Sequence, residues 1–268
     1  MDYTQVINTL VHWASTRDDI RALVLTGSAA SHTAHPLSDR DIEVFSTDVP
    51  ALLTDETWWR ALGEVLVIER LTDGENNPTR LVYYRGGKID FTLLPPEQLR
   101  ARPRSQAFRV LLDKDNIASS LSLHKQTALP PSAQDFNESI NWAWAAALMQ
   151  ARAIVRHEPW SAKIRDADLK KELLRMIEWD HHARYGSGFN THHRGARMRQ
   201  WMDAEVQQAL EQCWAGFSAE DSIRALRATT TLYRSLAGRT ATNLALPDFN
   251  HGQLETELHR ILGVQASQ

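Results

Sequence analysis

Asp39-Arg40-Asp41 sets two carboxylates two positions apart at the head of the run Asp41-Ile42-Glu43-Val44-Phe45-Ser46, whose branched and aromatic residues predict a strand. Side chains alternate faces along an extended segment, so Asp39 and Asp41 point the same way and Glu43 follows them on that face. Two carboxylates this close repel unless a cation lies between them or one takes up a proton. A hard divalent ion such as Mg²⁺ suits the pair, because it is bound by one or two carboxylates together with substrate phosphates. Asp90 is a third acid of the same kind. Its neighbours Ile89 and Phe91 are apolar and face the other way, so its charge needs a partner, and a metal meets that need. Gly27-Ser28 closes an earlier apolar run. Glycine lets a ligand approach the backbone closely, a turn of successive N–H groups cradles phosphate, and Ser28 adds a hydroxyl donor. An Asp-x-Asp alone is commonly a solvated turn, and a Gly-Ser pair is a weaker signal still. The order of strand, Gly-Ser, loop, Asp-x-Asp, strand and then an aspartate on a later strand is what gives the set its weight.

The elements that position these residues are visible in the same stretch. Val6, Leu10, Trp13 and Ala14 fall at helical spacing. Ile20 to Thr26 predicts a strand that ends in the Gly27-Ser28 turn, and residues 29–38 are small and polar, with Pro36. Thr54 or Asp55 can cap a short helix through Leu62. Val65 to Leu71 predicts a third strand. Arg80–Tyr84 and Lys88–Leu94 predict a hairpin across Gly86-Gly87, stopped by Pro95-Pro96. After Pro130-Pro131-Ser132 the pattern becomes helical: 136–157, 166–185, 193–217, 219–244 and 249–262. A strand-rich first half and a helical second half predict an α+β chain of two domains, 1–130 and 131–268.

The bulk composition sets limits. The chain has 268 residues, a formal net charge of −3 and no basic tail. A template track for nucleic acid would need concentrated positive charge, so a polymerase is disfavoured. Cys213 is the single cysteine; it cannot form an internal disulfide or a thiolate zinc cage, and is expected as a small apolar residue on a helix. His181, His182, His192 and His193 lack metal-ligand spacing and are expected to be solvated. The N-terminus has no basic start followed by an apolar core, and no apolar run reaches about 18 residues. These features predict a cytoplasmic protein, monomeric or a weak homodimer, without nucleic acid or membrane as partner.

Leu25-Thr26-Gly27-Ser28, Ser38-Asp39-Arg40-Asp41-Ile42 and Gly87-Lys88-Ile89-Asp90-Phe91-Thr92-Leu93-Leu94-Pro95 resemble the motifs of the nucleotidyltransferase superfamily. With Phe136-Asn137-Glu138-Ser139 and Leu173-Leu174-Arg175-Met176-Ile177-Glu178-Trp179, the chain is most similar to the aminoglycoside 6-adenylyltransferases, the streptomycin-modifying enzymes. The resemblance implies a nucleotidyltransferase-type mixed sheet with flanking helices, a C-terminal helical bundle and an active site between the two. It implies transfer of AMP from ATP to an aminoglycoside hydroxyl, with release of pyrophosphate. Asp39, Asp41 and Asp90 would hold Mg²⁺, and Gly27 and Ser28 would contact the triphosphate. Ala29 departs from the family, which often has arginine directly after Gly-Ser.

The attacking hydroxyl needs a base, and Asp90, beside the metal and the α-phosphate, is the first candidate. Arg194 and Arg197, three apart, can share a helical face and supply positive charge to the nucleotide; the plainer alternative is a solvated basic helix start. A polycationic acceptor calls for carboxylates and aromatic faces. Glu138, Glu178 and Asp180 with Trp142, Trp144 and Trp179 have suitable chemistry, although tryptophans are more often core. Glu178 and Asp180 are two apart on a helix and do not share a face, so one of them is expected at the acceptor. Two other readings remain. One is the same chemistry on another acceptor, such as a lincosamide, a metabolite or a protein hydroxyl. The other is a catalytically silent nucleotide-binding module, which has no chemical need for three acids.

Overall fold

Asp2 starts the fold. Its carboxylate accepts the amides of Thr4 and Gln5 and so caps α1 (Tyr3–Ser15), whose free N–H groups need acceptors. Val6, Leu10 and Ala14 recur at helical spacing and are buried against one face of a sheet. The computed structural model describes residues 1–31, 33–123 and 127–264. His32, within the expected 29–38 loop, lies outside them. The chain divides into two compact units, Met1–Gln126 and Thr127–Gln268, four residues before the break expected from Pro130-Pro131.

Unit 1 is built on six strands: β1 (Ile20–Thr26), β2 (Arg40–Ser46), β3 (Val65–Thr72), β4 (Pro78–Tyr84), β5 (Gly87–Leu94) and β6 (Phe108–Asp113), in the order β3-β4-β5-β2-β1-β6. β2 and β5 are parallel and the other neighbours antiparallel, so the sheet is mixed. The alternation predicted from sequence sorts the two faces. Leu23, Leu25, Ile42, Val44, Ile89 and Phe91 join the α1 side, together with Trp58 and Trp59. Ala22, Val24, Phe45 and Leu94 form a smaller cluster of their own. The aspartates at positions 41 and 90 alternate with Ile42, Ile89 and Phe91 and therefore project away from α1.

Three local features differ from expectation. β6 was not evident from the sequence; it is only half-buried and carries Arg109, so its pattern is weak until it pairs with β1. Of the helix expected from Thr54 or Asp55 to Leu62 only α4 (Thr57–Arg60) forms; α3 (Val49–Thr54) is a separate piece before it, and the single turn α2 (Gly27–Ala30) follows β1. Asp48 caps α3 by accepting the Ala51 amide, while the Asp55 carboxylate takes the Thr57 amide and hydroxyl and separates the two pieces. A further turn, α5 (Gln98–Ala101), follows Pro95-Pro96.

Unit 2 is helical: α6 (Ala133–Val155), α7 (Pro159–Tyr185), α8 (Met198–Trp201), α9 (Ala204–Glu211), α10 (Ala219–Leu244) and α11 (Gly252–Leu262). A reciprocal cap starts α6: the Ser132 hydroxyl accepts the Asp135 amide and Asp135 accepts the Ser132 amide. Phe136, Ile140, Leu169, Leu173, Met176, Tyr233 and Leu236 lie in one core. Cys213 is buried there, in the turn just beyond α9 rather than on a helix. The single helix expected over 193–217 is broken. Arg194 and Arg197 have φ of 52° and 54°, and Asp203 is drawn away from a continuous helix because its N–H binds His181 Nε2 and its carboxylate meets Arg184 and Tyr185. No helix of the described residues is long and apolar enough to cross a membrane.

Candidate active site

Parallel pairing of β2 with β5 puts Asp41 directly opposite Asp90, and antiparallel pairing of β1 with β2 puts Thr26 opposite Asp41. Three strand ends thus meet at one place on the sheet. Asp39, Asp41 and Asp90 each bring a carboxylate oxygen into a group lying within 4.8 Å of one another. No other group of three or more histidines, cysteines or acids among the described residues is arranged to hold a metal.

Gly27 is required here on two counts. Its φ of +71° is a conformation that side chains disfavour, and a Cβ would stand 2.8 Å from Asp41 Oδ2. The glycine therefore lets the β1–α2 turn close over the acidic group. Its own N–H is spent on the Ala107 carbonyl at 3.0 Å, so the donors left to a ligand are the Ser28 hydroxyl and the amides after it. Ala29 and Ala30 pack their methyls against the α1-side core instead of presenting charge.

The electrostatics are those of a site with more negative charge than its one ammonium offsets. Burial, reinforced by Asp39 and Asp90, pushes the Asp41 carboxyl up to about 6. Burial also raises Asp90, against the opposing hydrogen bond from Lys88. Asp90 Oδ1 is buried and has no hydrogen-bond partner. Lys88 Nζ lies 3.0 Å from Asp39 Oδ2 and 2.8 Å from Asp90 Oδ2. Three acids against one ammonium leave a deficit of positive charge. An all-oxygen donor set with an orphaned lone pair fits a hard divalent cation.

Lys88 did not emerge from sequence reasoning as a site residue. Its signal was its place two residues before Asp90, hence on the same strand face. Glu43 lies on that face as expected, but deeper. It is 8% exposed and is neutralised by Arg104 and by Arg102 Nε at 3.4 Å, so it stays out of the acidic group. Tyr3 was also missed. Its hydroxyl takes the Lys88 N–H at 3.0 Å and its ring lies under the Arg40 guanidinium at 3.9 Å. Arg40 in turn donates to the Ser38 and Asp39 carbonyls, so Tyr3 ties together the starts of β2 and β5.

The residues expected in unit 2 divide. Glu138 and Trp142 are exposed and one helical turn apart on α6; Trp142 is 64% exposed, whereas Trp144 is core and donates to His251. Glu178 is half-buried on α7, where burial raises its carboxyl to about 7. Trp179 packs on Phe136. Asp180 is corrected: it is 0% exposed, and both oxygens are held by Arg239 and Arg184, so none is open to an acceptor. Arg194 and Arg197 are exposed, but their left-handed backbone prevents the shared helical face expected of them. His181 is likewise corrected from solvated to fully buried; its Nδ1 meets the Ile177 carbonyl and its Nε2 accepts the Asp203 N–H.

A family model described as streptomycin adenylyltransferase matches residues 1–255. An aminoglycoside 6-adenylyltransferase of Campylobacter jejuni is 26% identical over 257 residues, covering 90% of this chain and 88% of the relative. A second, from Bacillus subtilis, is 21% identical over 266 residues, covering 92% and 94%. A crystal structure of an aminoglycoside 6-adenyltransferase from Bacillus subtilis aligns over 98% of this chain and 100% of its own, at 18% identity and a TM-score of 0.49.

Proposed function

The chain belongs to the streptomycin adenylyltransferase family and is a nucleotidyltransferase, and on that premise we propose that it moves AMP from ATP to a hydroxyl of an aminoglycoside, streptomycin first among them, in the cytoplasm. The observation that carries this reading is the acidic group itself: three carboxylates from β2, its approach and β5, under a glycine turn that only a residue without Cβ can make.

Asp39, Asp41 and Asp90 would hold Mg²⁺. When bound, the ion would offset charge on the phosphoryl oxygens and orient the α-phosphate. Ser28 and the amides of the β1–α2 turn bind the triphosphate, and Gly27 makes room for it. A carboxylate oxygen of Asp90 takes the proton of the acceptor hydroxyl. The hydroxyl oxygen bonds to the α-phosphorus. The bond from that phosphorus to the oxygen bridging to the β-phosphate breaks, and pyrophosphate leaves with the electron pair. Arg194 and Arg197, both exposed, are assigned to the nucleotide as separate basic side chains. Glu138, Trp142 and Glu178 of unit 2 are assigned to the acceptor: the carboxylates meet its ammonium or guanidinium groups and the indole covers a sugar face.

The test is a panel of acceptors with ATP or GTP and Mg²⁺, read by pyrophosphate release and product mass. Streptomycin with ATP is expected to release one pyrophosphate and gain one AMP. No release with any aminoglycoside would overturn the acceptor; product from a lincosamide, a metabolite or a protein hydroxyl alone would replace it.

A further inference from the structure

Among the described residues, the cation nearest the acidic group is supplied by the protein. Lys88 Nζ spans the two strands, 3.0 Å from Asp39 Oδ2 and 2.8 Å from Asp90 Oδ2. These are two of the three carboxylates assigned to the metal, so an ammonium and a divalent ion claim the same acids. We propose that Lys88 is a built-in counter-ion that holds Asp39 and Asp90 together until a divalent cation displaces it, making metal binding an exchange of cations. The inference rests on the metal reading of the acidic group given above.

The geometry supplies both the reason to hold and the means to let go. Lysine offers three donors from one point charge, which suits it to bridging two carboxylates. It leaves the group incompletely served, since Asp90 Oδ1 still lacks a partner and no hydrogen bond from Lys88 reaches Asp41. A divalent ion can satisfy what the ammonium cannot. The Lys88 backbone is fixed, its N–H donated to the Tyr3 hydroxyl at 3.0 Å, so the exchange is confined to a flexible four-carbon stem. A second seat lies on the same sheet face. Tyr83, paired with Lys88 across β4–β5, places its ring centroid 5.3 Å from Nζ, and its hydroxyl donates to Glu69 at 2.8 Å. An ammonium leaving the acids would pass over an aromatic face toward another carboxylate.

The experiment uses the full chain without nucleotide and Mn²⁺ as the probe, with binding read by calorimetry and by the electron paramagnetic resonance of free Mn²⁺. Lys88→Met is expected to bind Mn²⁺ about tenfold more tightly than wild type, because no resident cation must leave. It is also expected to melt lower without metal and to gain more in melting temperature when Mn²⁺ is added. Lys88→Arg keeps the charge and is expected to stay near wild-type affinity. In wild type, acetic anhydride followed by peptide mass spectrometry should label Lys88 faster with Mn²⁺ than without it. If Lys88→Met does not fold, Lys88→Gln takes its place, and the labelling arm needs no variant. Unchanged or weaker Mn²⁺ affinity in the uncharged variant, or labelling indifferent to Mn²⁺, overturns the inference while the metal reading stands. Absence of Mn²⁺ binding to wild type, or binding unaltered by Asp41→Asn, overturns the metal reading and this inference with it.

Discussion

Asp41 in unit 1 is half-buried and Asp180 in unit 2 is closed off from water, and the protein treats the two aspartates in opposite ways. Asp180 is given two guanidinium partners. Arg239 grips both oxygens at 2.7 and 2.8 Å, Arg184 adds bonds at 2.7 and 3.1 Å, and no surface of Asp180 remains exposed. Asp41 is given two more carboxylates, and its own carboxyl is pushed up to about 6. The comparison teaches how to tell a structural acid from a working one. A buried charge whose fixed partners satisfy every oxygen is part of the scaffold, whereas one surrounded by like charges is held ready for a cation that arrives from outside.

Asp41→Asn is the strongest way to sharpen the contrast. Turnover, followed by pyrophosphate release, is expected to fall on the order of a thousandfold with the loss of a charge at the reacting phosphate. The melting temperature of the metal-free protein is expected to rise by about 2–4 °C, because a repelled charge has been removed. A fall in both would mean that Asp41 is scaffold like Asp180. Asp180→Ala should do the reverse to stability. Breaking a buried pair typically costs several kcal/mol; since Arg184 and Arg239 keep Asp203 and Glu205 as partners, about 3 kcal/mol is expected in urea denaturation. A loss under 1 kcal/mol would break the comparison.

The smallest effect concerns Glu178, whose carboxyl burial raises to about 7. Its folded-state pKa lies above the unfolded value near 4.5, so the folded form binds the proton more tightly. Stability is therefore fully present below the unfolded value and is lost as pH rises through about 7. Glu178→Gln should flatten the dependence of melting temperature on pH between about 5 and 8 and raise it slightly at pH 8. An unchanged slope would mean that Glu178 is as open as Glu138.

How much of the fold was legible in the sequence depended on how local each signal was. The break at Pro130-Pro131-Ser132, the β4–β5 hairpin and the Gly27-Ser28 turn are written in adjacent residues, and each was visible, whereas the Ser132–Asp135 cap, equally local, was not read. β6 was not, since a half-buried strand with an arginine in it gains its identity only by pairing with β1. The break between 193 and 203 was invisible for a related reason: Asp203 is held by His181, Arg184 and Tyr185, from another helix.

The sequence by itself determined which way each of the three acids faces. Alternation along a strand assigns Asp39 and Asp41 to one face, and the apolar neighbours of Asp90 assign it to the opposite face from theirs. Those are properties of the extended chain, independent of what packs around it. The tertiary structure alone decided which charges are used up. Register between β2 and β5 set Asp41 beside Asp90 and brought Lys88 across to Asp39, while helix packing in unit 2 delivered Arg239, 59 residues away, to Asp180. Charge neutralisation depends on distance in space, and spacing along the chain does not record it.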